Sequence, residues 1–414
     1  MNSNPKNTES TDAESTGSSE SAVDRPAKPR PKLTLRKKLA FLTIAMTFAI
    51  VCSEVLLILT GISFPLLYQT DNHCGVRLKR NLNVRYIEEG TSIVRTNSAG
   101  FRDVERSRTK PAGIYRIAVL GDSFSEAIQV DREKSFCYLL EQHLISTGAQ
   151  VEVLNFGVSG FGTSQEFELL KNEVVDYQPD LVILAMFLGN DIGDNSRAIN
   201  PGQIKPYHDW VDGKLVLDDS FQSDPRFLAA QSSSTQLKSR VINASRTVQL
   251  INKLYSRLKN SSQPRANVGI GLDPKLYAPP EDDDWKSAWN VTERLVSAID
   301  EHCQQNQSRL VVVTLTNPIQ VHPDAAVRDK FKNDHEIDSL LYPDDRVRQY
   351  CAKNRIHLLQ LARPFLQEVI DSREPVYFHG FTNTELGVGH WNELGHRRAS
   401  ESIATYLLQK KFVQ

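Results

Sequence analysis

Two kinds of hydrophobic pattern run along the chain. From Leu39 to Tyr68 nearly every position is apolar or small and Glu54 is the one charge, a stretch long enough to cross a hydrocarbon core about 30 Å thick. Farther on, short β-rich runs at Tyr115 to Leu120, Val151 to Leu154, Leu181 to Phe187, Leu310 to Leu315 and Ile356 to Leu361 alternate with helical patterns. The helices are predicted near 136–147, 163–175, 284–303, 346–353 and 392–408. Continuous apolar strands separated by helices predict an α/β fold, a mostly parallel five-stranded sheet covered on both faces. Thr163 and Glu166 have the spacing of a capping box at one helix start.

Residues 192–283 break this rhythm and are too long and polar for a simple loop, so they predict an inserted subdomain or lid. Within them Asp212-Gly213 predicts a hairpin turn between HDWV and KLVL. Leu237, Val241, Val248, Ile251, Tyr255 and Leu258 fall at helical spacing, an apolar stripe expected to pack on the main domain. Residues 261–280 read as a return linker. The acidic run Glu281 to Asp284 suits the N-terminal end of the next helix, a calcium site being the alternative.

The chain of 414 residues therefore divides into a tail, 1–38, an anchor, 39–68, a first part of the α/β domain, 69–191, the insertion, 192–283, and a second part, 284–414. The tail has no apolar run able to offset the entropy of ordering it, which predicts disorder. Its basic residues just before the apolar run, Arg25 to Lys38, are joined by no acid, and the positive-inside rule then keeps the N-terminus cytoplasmic and the bulk of the chain periplasmic or extracellular. A cleaved signal peptide is the competing reading, but the apolar run is long for one. Glu54 is expected near the outer end of the span. Formal net charge is −1, and with the basic tail set aside the remainder is slightly acidic, which argues against a nucleic-acid partner. Cys74, Cys137, Cys303 and Cys351 lie too far apart for a metal or redox motif, and their pairing is open.

Ligands of open parallel sheets bind beyond the carboxyl ends of the strands, and small polar motifs follow the first three strands directly. After the first comes Gly121-Asp122-Ser123-Phe124-Ser125-Glu126, with a serine at a strand-to-helix turn, either presented as a nucleophile or serving as an N-cap with Glu126. After the second comes Asn155-Phe156-Gly157-Val158-Ser159-Gly160, where glycines let a backbone N–H approach an oxyanion. After the third comes Gly189-Asn190-Asp191, an uncharged amide donor or a turn. Near the C-terminus His390-Trp391-Asn392-Glu393-Leu394-Gly395-His396 opens the last helix with a histidine that can act as general base. His390 and His396 are spaced wrongly for a shared metal, and no phosphate loop or cofactor fingerprint occurs, so neither metal nor cofactor is expected.

Together these four motifs resemble the blocks of the SGNH, or GDSL-like, hydrolase superfamily. The segment Thr96 to Arg102 is similar to one in membrane-anchored bacterial members. The resemblance implies a three-layer, flavodoxin-like α/β/α fold, with Ser123 as nucleophile, His390 as base, and an oxyanion hole from the backbone N–H of Ser123 and Gly160 and the side chain of Asn190. His396 matches a helix-packing position. The family usually places an aspartate three residues before the histidine, and here that residue is Gly387. A Ser-His dyad, a backbone carbonyl, Glu385, or another acid brought close by the fold are the alternatives.

The function so implied is a membrane-anchored serine esterase that cleaves an acyl ester, such as acetyl, on a small molecule or on an envelope or exported carbohydrate. The alternatives are an O-acyltransferase acting on exported polysaccharide, and a degenerate domain that binds glycan or scaffolds an envelope complex.

Overall fold

The computed structural model describes residues 33–260 and 273–413. The expected tail to residue 32, and residues 261–272 of the expected linker, lie outside them. The chain divides into two compact units, residues 1–51 and 52–414. Of the first, residues 35–51 form the exposed opening turns of helix α1, Leu35–Thr60, which is long and apolar enough to cross a membrane. The helix stops at Thr60, before Gly61 in left-handed conformation, and the chain reaches Tyr68 as non-helical backbone.

The second unit begins with two hairpins, β1, Tyr68–Asp71, with β2, Gly75–Leu78, and β3, Asn83–Tyr86, with β4, Ser92–Arg95. Then follow β5, Tyr115–Gly121, the single turn α2, Ser123–Glu126, α3, Phe136–Ser146, β6, Val151–Asn155, α4, Thr163–Asn172, β7, Leu181–Met186, and α5, Leu188–Asp194. The insertion supplies β8, Tyr207–Val211, β9, Lys214–Asp218, α6, Pro225–Gln231, α7, Ser233–Ala244, and α8, Arg246–Asn260. The fold closes with α9, Asp283–Gln305, β10, Arg309–Thr314, α10, Ala325–Asp334, α11, Tyr342–Asn354, β11, His357–Gln360, α12, Ala362–Asp371, and α13, Glu393–Gln409.

Five strands pair in the order β11-β10-β7-β5-β6, all parallel, the expected sheet. Successive side chains point to opposite faces, and both faces are apolar. Ile117, Val119, Ile183 and Val311 pack with Phe136, Leu140 and Ile403 on one side. Ala118, Leu120, Leu184 and Val312 pack with Leu170, Trp289 and Ile299 on the other. Gly121 pairs with Ala185, so the turns after β5 and β7 leave the sheet side by side.

The hairpin at Asp212-Gly213 forms, both residues having positive φ as a type I′ turn requires. Two expectations are corrected. The cap of α4 lies one residue earlier than the Thr163 spacing implied: Gly162 is the N-cap and its N–H donates to Gln165 Oε1 at 3.2 Å, while Glu166 is fully buried. The apolar stripe of 237–258 does not pack on the main domain. Leu237, Val241, Ile251 and Tyr255 are exposed, because α8 turns its polar side inward, with Gln249 accepting from Ser63 Oγ and Phe64 N, and Lys253 paired with Glu88. The Glu54 carboxylate accepts the N–H of Arg246 and Thr247 and the hydroxyl of Ser245, and so caps α8. Asp282 caps α9 by accepting from Trp285 N at 2.8 Å. Among the described residues the cysteines are free thiols, all buried except Cys52.

Candidate active site

Asp122 sits at the end of β5, fully buried, and caps α2 by accepting Phe124 N at 2.9 Å. That role frees Ser123, which is the first residue of the turn and not its cap. Close packing makes the turn sharp: a Cβ on Gly121 would lie 2.2 Å from Ser125 Oγ, and one on Gly157 2.5 Å from Ser125 Cβ. From beneath, the buried guanidinium of Arg102, in the segment before β5, donates to the carbonyls of Glu126, Ala127 and Val130 and fixes the exit from α2.

His390 precedes α13, whose N-cap is Asn392. Its Nε2 lies 2.8 Å from Ser123 Oγ. Its Nδ1 lies 2.6 Å from Glu89 Oε2, and its backbone N–H donates to Glu89 Oε1 at 2.8 Å. A carboxylate that accepts from Nδ1–H leaves Nε2 without a proton and facing the serine. Burial alone would raise Glu89, but the hydrogen bonds and charge of His390 bring it below the usual carboxylate value, so it is ionised at neutral pH. The backbone around His390 is fixed by a buried chain: Trp391 Nε1 donates to Thr316 Oγ1, His379 bonds Thr316 and the Gly389 carbonyl, and Gly380 N–H donates to the His390 carbonyl. Burial lowers His379 to about 3, so it stays neutral.

Glu385, the acid nominated from the sequence, is exposed and does not meet His390. The partner is Glu89, from the loop between β3 and β4, 301 residues away. Two glycines explain the arrangement. Gly389 has φ +82, and a Cβ there would lie 2.3 Å from Glu89 Oε1. Gly387, at the position where the family carries aspartate, has φ +84, and a Cβ there would lie 2.7 Å from the His322 ring. Asn383 clasps the two loops, accepting Gly90 N–H at 2.9 Å and donating to Gly90 O at 2.9 Å. No sequence spacing announces Glu89. The available signal was a glycine beside the candidate histidine, room left for a side chain from elsewhere.

Asn190, at the start of α5, donates from Nδ2 to Asp122 Oδ2 at 3.2 Å, beside Ser123. Gly160 has φ +79 with open space where a Cβ would stand, in an exposed turn. That turn is tied to α2 by Glu126, whose Oε2 accepts from Ser159 Oγ, from Ser159 N at 3.2 Å and from Tyr68 Oη at 2.9 Å. Burial raises Glu126 to about 7 and Asp122 to about 6. Burial, then neighbouring carboxylates, push Asp191 and Glu166 well above the usual range. His396 is buried, stacked on Phe136. Among the described residues no group of His, Cys, Asp or Glu has a metal-holding arrangement.

Residues 117–212 match the family of GDSL-like lipases and acylhydrolases, and Ser123, Gly160 and Asn190 all fall in that range. Over that stretch the chain is similar to a GDSL-like hydrolase domain. The match sets this segment beside enzymes that act on ester bonds. Similar solved structures include the acetyl xylan esterase AlAXEase, 13% identical, covering 70% of this chain and 99% of that one with a TM-score of 0.38. A mutant acetyl-xylooligosaccharide esterase from Geobacillus Stearmophilus is 9% identical, with 72% and 95% covered and a TM-score of 0.37. A lipase from a goat rumen metagenome is 13% identical, with 70% and 96% covered and a TM-score of 0.33. No curated protein matches the sequence.

Proposed function

We propose that this chain is a membrane-anchored SGNH-type serine esterase working through a Ser123-His390-Glu89 relay, the observation that carries the reading. Ser123 Oγ attacks the ester carbonyl while His390 Nε2 takes its proton, and Glu89 stabilises the resulting imidazolium. The oxyanion is received by the backbone N–H groups of Ser123 and Gly160 and by Asn190 Nδ2. Collapse of the tetrahedral adduct breaks the C–O bond to the alcohol, which leaves with the proton from His390. Water, deprotonated by the same imidazole, then attacks the acyl-serine and releases the acid.

The acyl group is in our reading small, such as acetyl, and its carrier a carbohydrate of the envelope or an exported one. A cavity of about 1230 Å³ has room for a bulky carrier. It is lined by Tyr68, the partner of Glu126, by Tyr86, close to Glu89, and by Lys79, Arg240, Gln236 and Asn243. Helix α1 supplies the anchor, its basic N-terminal flank keeping that end cytoplasmic and the catalytic unit periplasmic or extracellular.

A serine-reactive fluorophosphonate applied to the full chain tests the chemistry. A stoichiometric adduct on Ser123, located by peptide mass spectrometry and lost in Ser123→Ala and His390→Ala, is expected. A folded protein that stays unmodified overturns the reading.

A further inference from the structure

Helices α6 to α8, residues 225–260, carry seven Lys and Arg and no Asp or Glu. The same helices expose apolar side chains at helical spacing: Leu237 and Val241 on α7, and Ile251, Leu254 and Tyr255 on α8, with Ile251 60% and Tyr255 64% exposed. Among the described residues no element packs over them. An exposed apolar stripe of this length on a soluble domain asks for a partner.

Position in the fold says which one. The start of α8 is fastened to the end of α1: Glu54 caps it, Ser53 bonds Thr247 at 2.9 Å, and Arg246 donates to the Leu57 carbonyl at 2.9 Å. Glu54 is six residues from the helix end at Thr60, about 9 Å along the axis at 1.5 Å per residue. With α1 spanning a bilayer, the cap of α8 therefore lies at the depth of the outer headgroups and the upper acyl chains. The exposed apolar side chains of α1 there, Leu56 and Leu59, belong to the same fastened region as the exposed face of α8. The opposite side of α8 is taken up by protein, Gln249 on Ser63 and Phe64 and Lys253 on Glu88, so the helix cannot roll its apolar face inward.

We propose that the face of α7 and α8 bearing Leu237, Val241, Ile251, Leu254 and Tyr255 seats in the outer surface of an anionic lipid bilayer, as an interfacial amphipathic platform that sets the orientation of the catalytic unit. The proposal rests on the reading of α1 as a membrane span. The apolar side chains enter the boundary of headgroups and acyl chains, while Lys238, Arg257 and Lys259 meet lipid phosphates. One span alone leaves a domain free to tilt and swivel, and two fastened helices lying on the surface remove that freedom.

The test uses the full chain in bilayers of phosphatidylcholine with and without phosphatidylglycerol. Spin labels go at Ile251→Cys or Tyr255→Cys in a Cys52→Ser background, the other described cysteines being buried. Gln305→Cys, exposed at the end of α9, gives the water reference, and Phe48→Cys reads the span. Retained p-nitrophenyl acetate hydrolysis checks that each variant is folded. Labels at 251 and 255 are expected to lose access to a water-soluble nickel chelate and gain access to oxygen when anionic lipid is present, while 305 stays open to nickel. If 251 and 255 match 305 in both bilayers while 48 is lipid-buried, the platform falls and the anchor stands. If 48 is also water-exposed, both fall. Protection that ignores lipid charge and fades as protein is diluted in lipid means that a second copy covers the face, and overturns the proposal.

Discussion

Replacing Glu89 by Gln tests the relay at the point least visible in the sequence. The substitution keeps size and can still bond His390, but removes the charge that faces the imidazolium in the transition state. With Glu89 Oε2 at 2.6 Å from Nδ1, the charge centres stand about 4 Å apart, where unit charges attract by roughly 4 kcal/mol at an effective dielectric constant of about 20. At about 1.4 kcal/mol per factor of ten, this is on the order of a thousandfold in kcat. A wrong tautomer adds to the loss, because a Gln amide aimed at Nδ1 donates, leaving the Nε2 proton facing Ser123. The assay is steady-state hydrolysis of p-nitrophenyl acetate by the full chain, with KM expected to change little since Glu89 acts through His390. Glu385→Gln serves as the control and should behave as wild type. A Glu89→Gln enzyme within about tenfold of wild type, at unchanged melting temperature, would refute the charge argument, since even half of that attraction is worth more than one factor of ten.

Three further outcomes follow from neighbouring geometry. Gly389→Ala puts a methyl where Glu89 Oε1 lies, so kcat should fall nearly as far as in Glu89→Gln, again read with p-nitrophenyl acetate. Gly387→Asp restores the family's usual acid but forces positive φ and a collision with His322; denaturant unfolding should show a loss of about 1–3 kcal/mol, and the variant should not rescue Glu89→Gln. Glu126 is a carboxyl raised by burial from 4.5 to about 7, so the folded state holds a proton that the unfolded state releases first. Its contribution to stability is greatest below about pH 4.5 and is lost as pH rises toward 7. Glu126→Gln removes that loss, and melting curves at pH 5 and pH 8 should show a smaller drop for the variant than for wild type.

The sheet was legible because its strands are apolar on both faces, a pattern a few residues suffice to display. Ser123, Gly160 and Asn190 were nominated because each follows a strand at the carboxyl edge, where topology brings unrelated segments together. Glu89 was not, since nothing local distinguishes one surface carboxylate from another, and its meeting with His390 depends on how a hairpin before the first sheet strand docks. The capping boxes failed for local reasons: Glu126 has the right spacing but is taken by Tyr68 and Ser159, and at α4 Gln165 reaches the Gly162 N–H in place of Glu166. The apolar stripe of 237–258 was recognised, and its exposure was not, because periodicity gives a face and not what covers it.

Glu89 and His390 come from opposite ends of the catalytic unit, and this orders events in time. Glu89 leaves the ribosome 301 residues before His390, and their loops are clasped through Asn383. A chain still being made, or one whose first hairpins have not docked, holds a serine without a charged, oriented base. On the proposed relay, reactivity at Ser123 then waits until both loops have docked, and a covalent probe applied during refolding would clock that closure from a single residue.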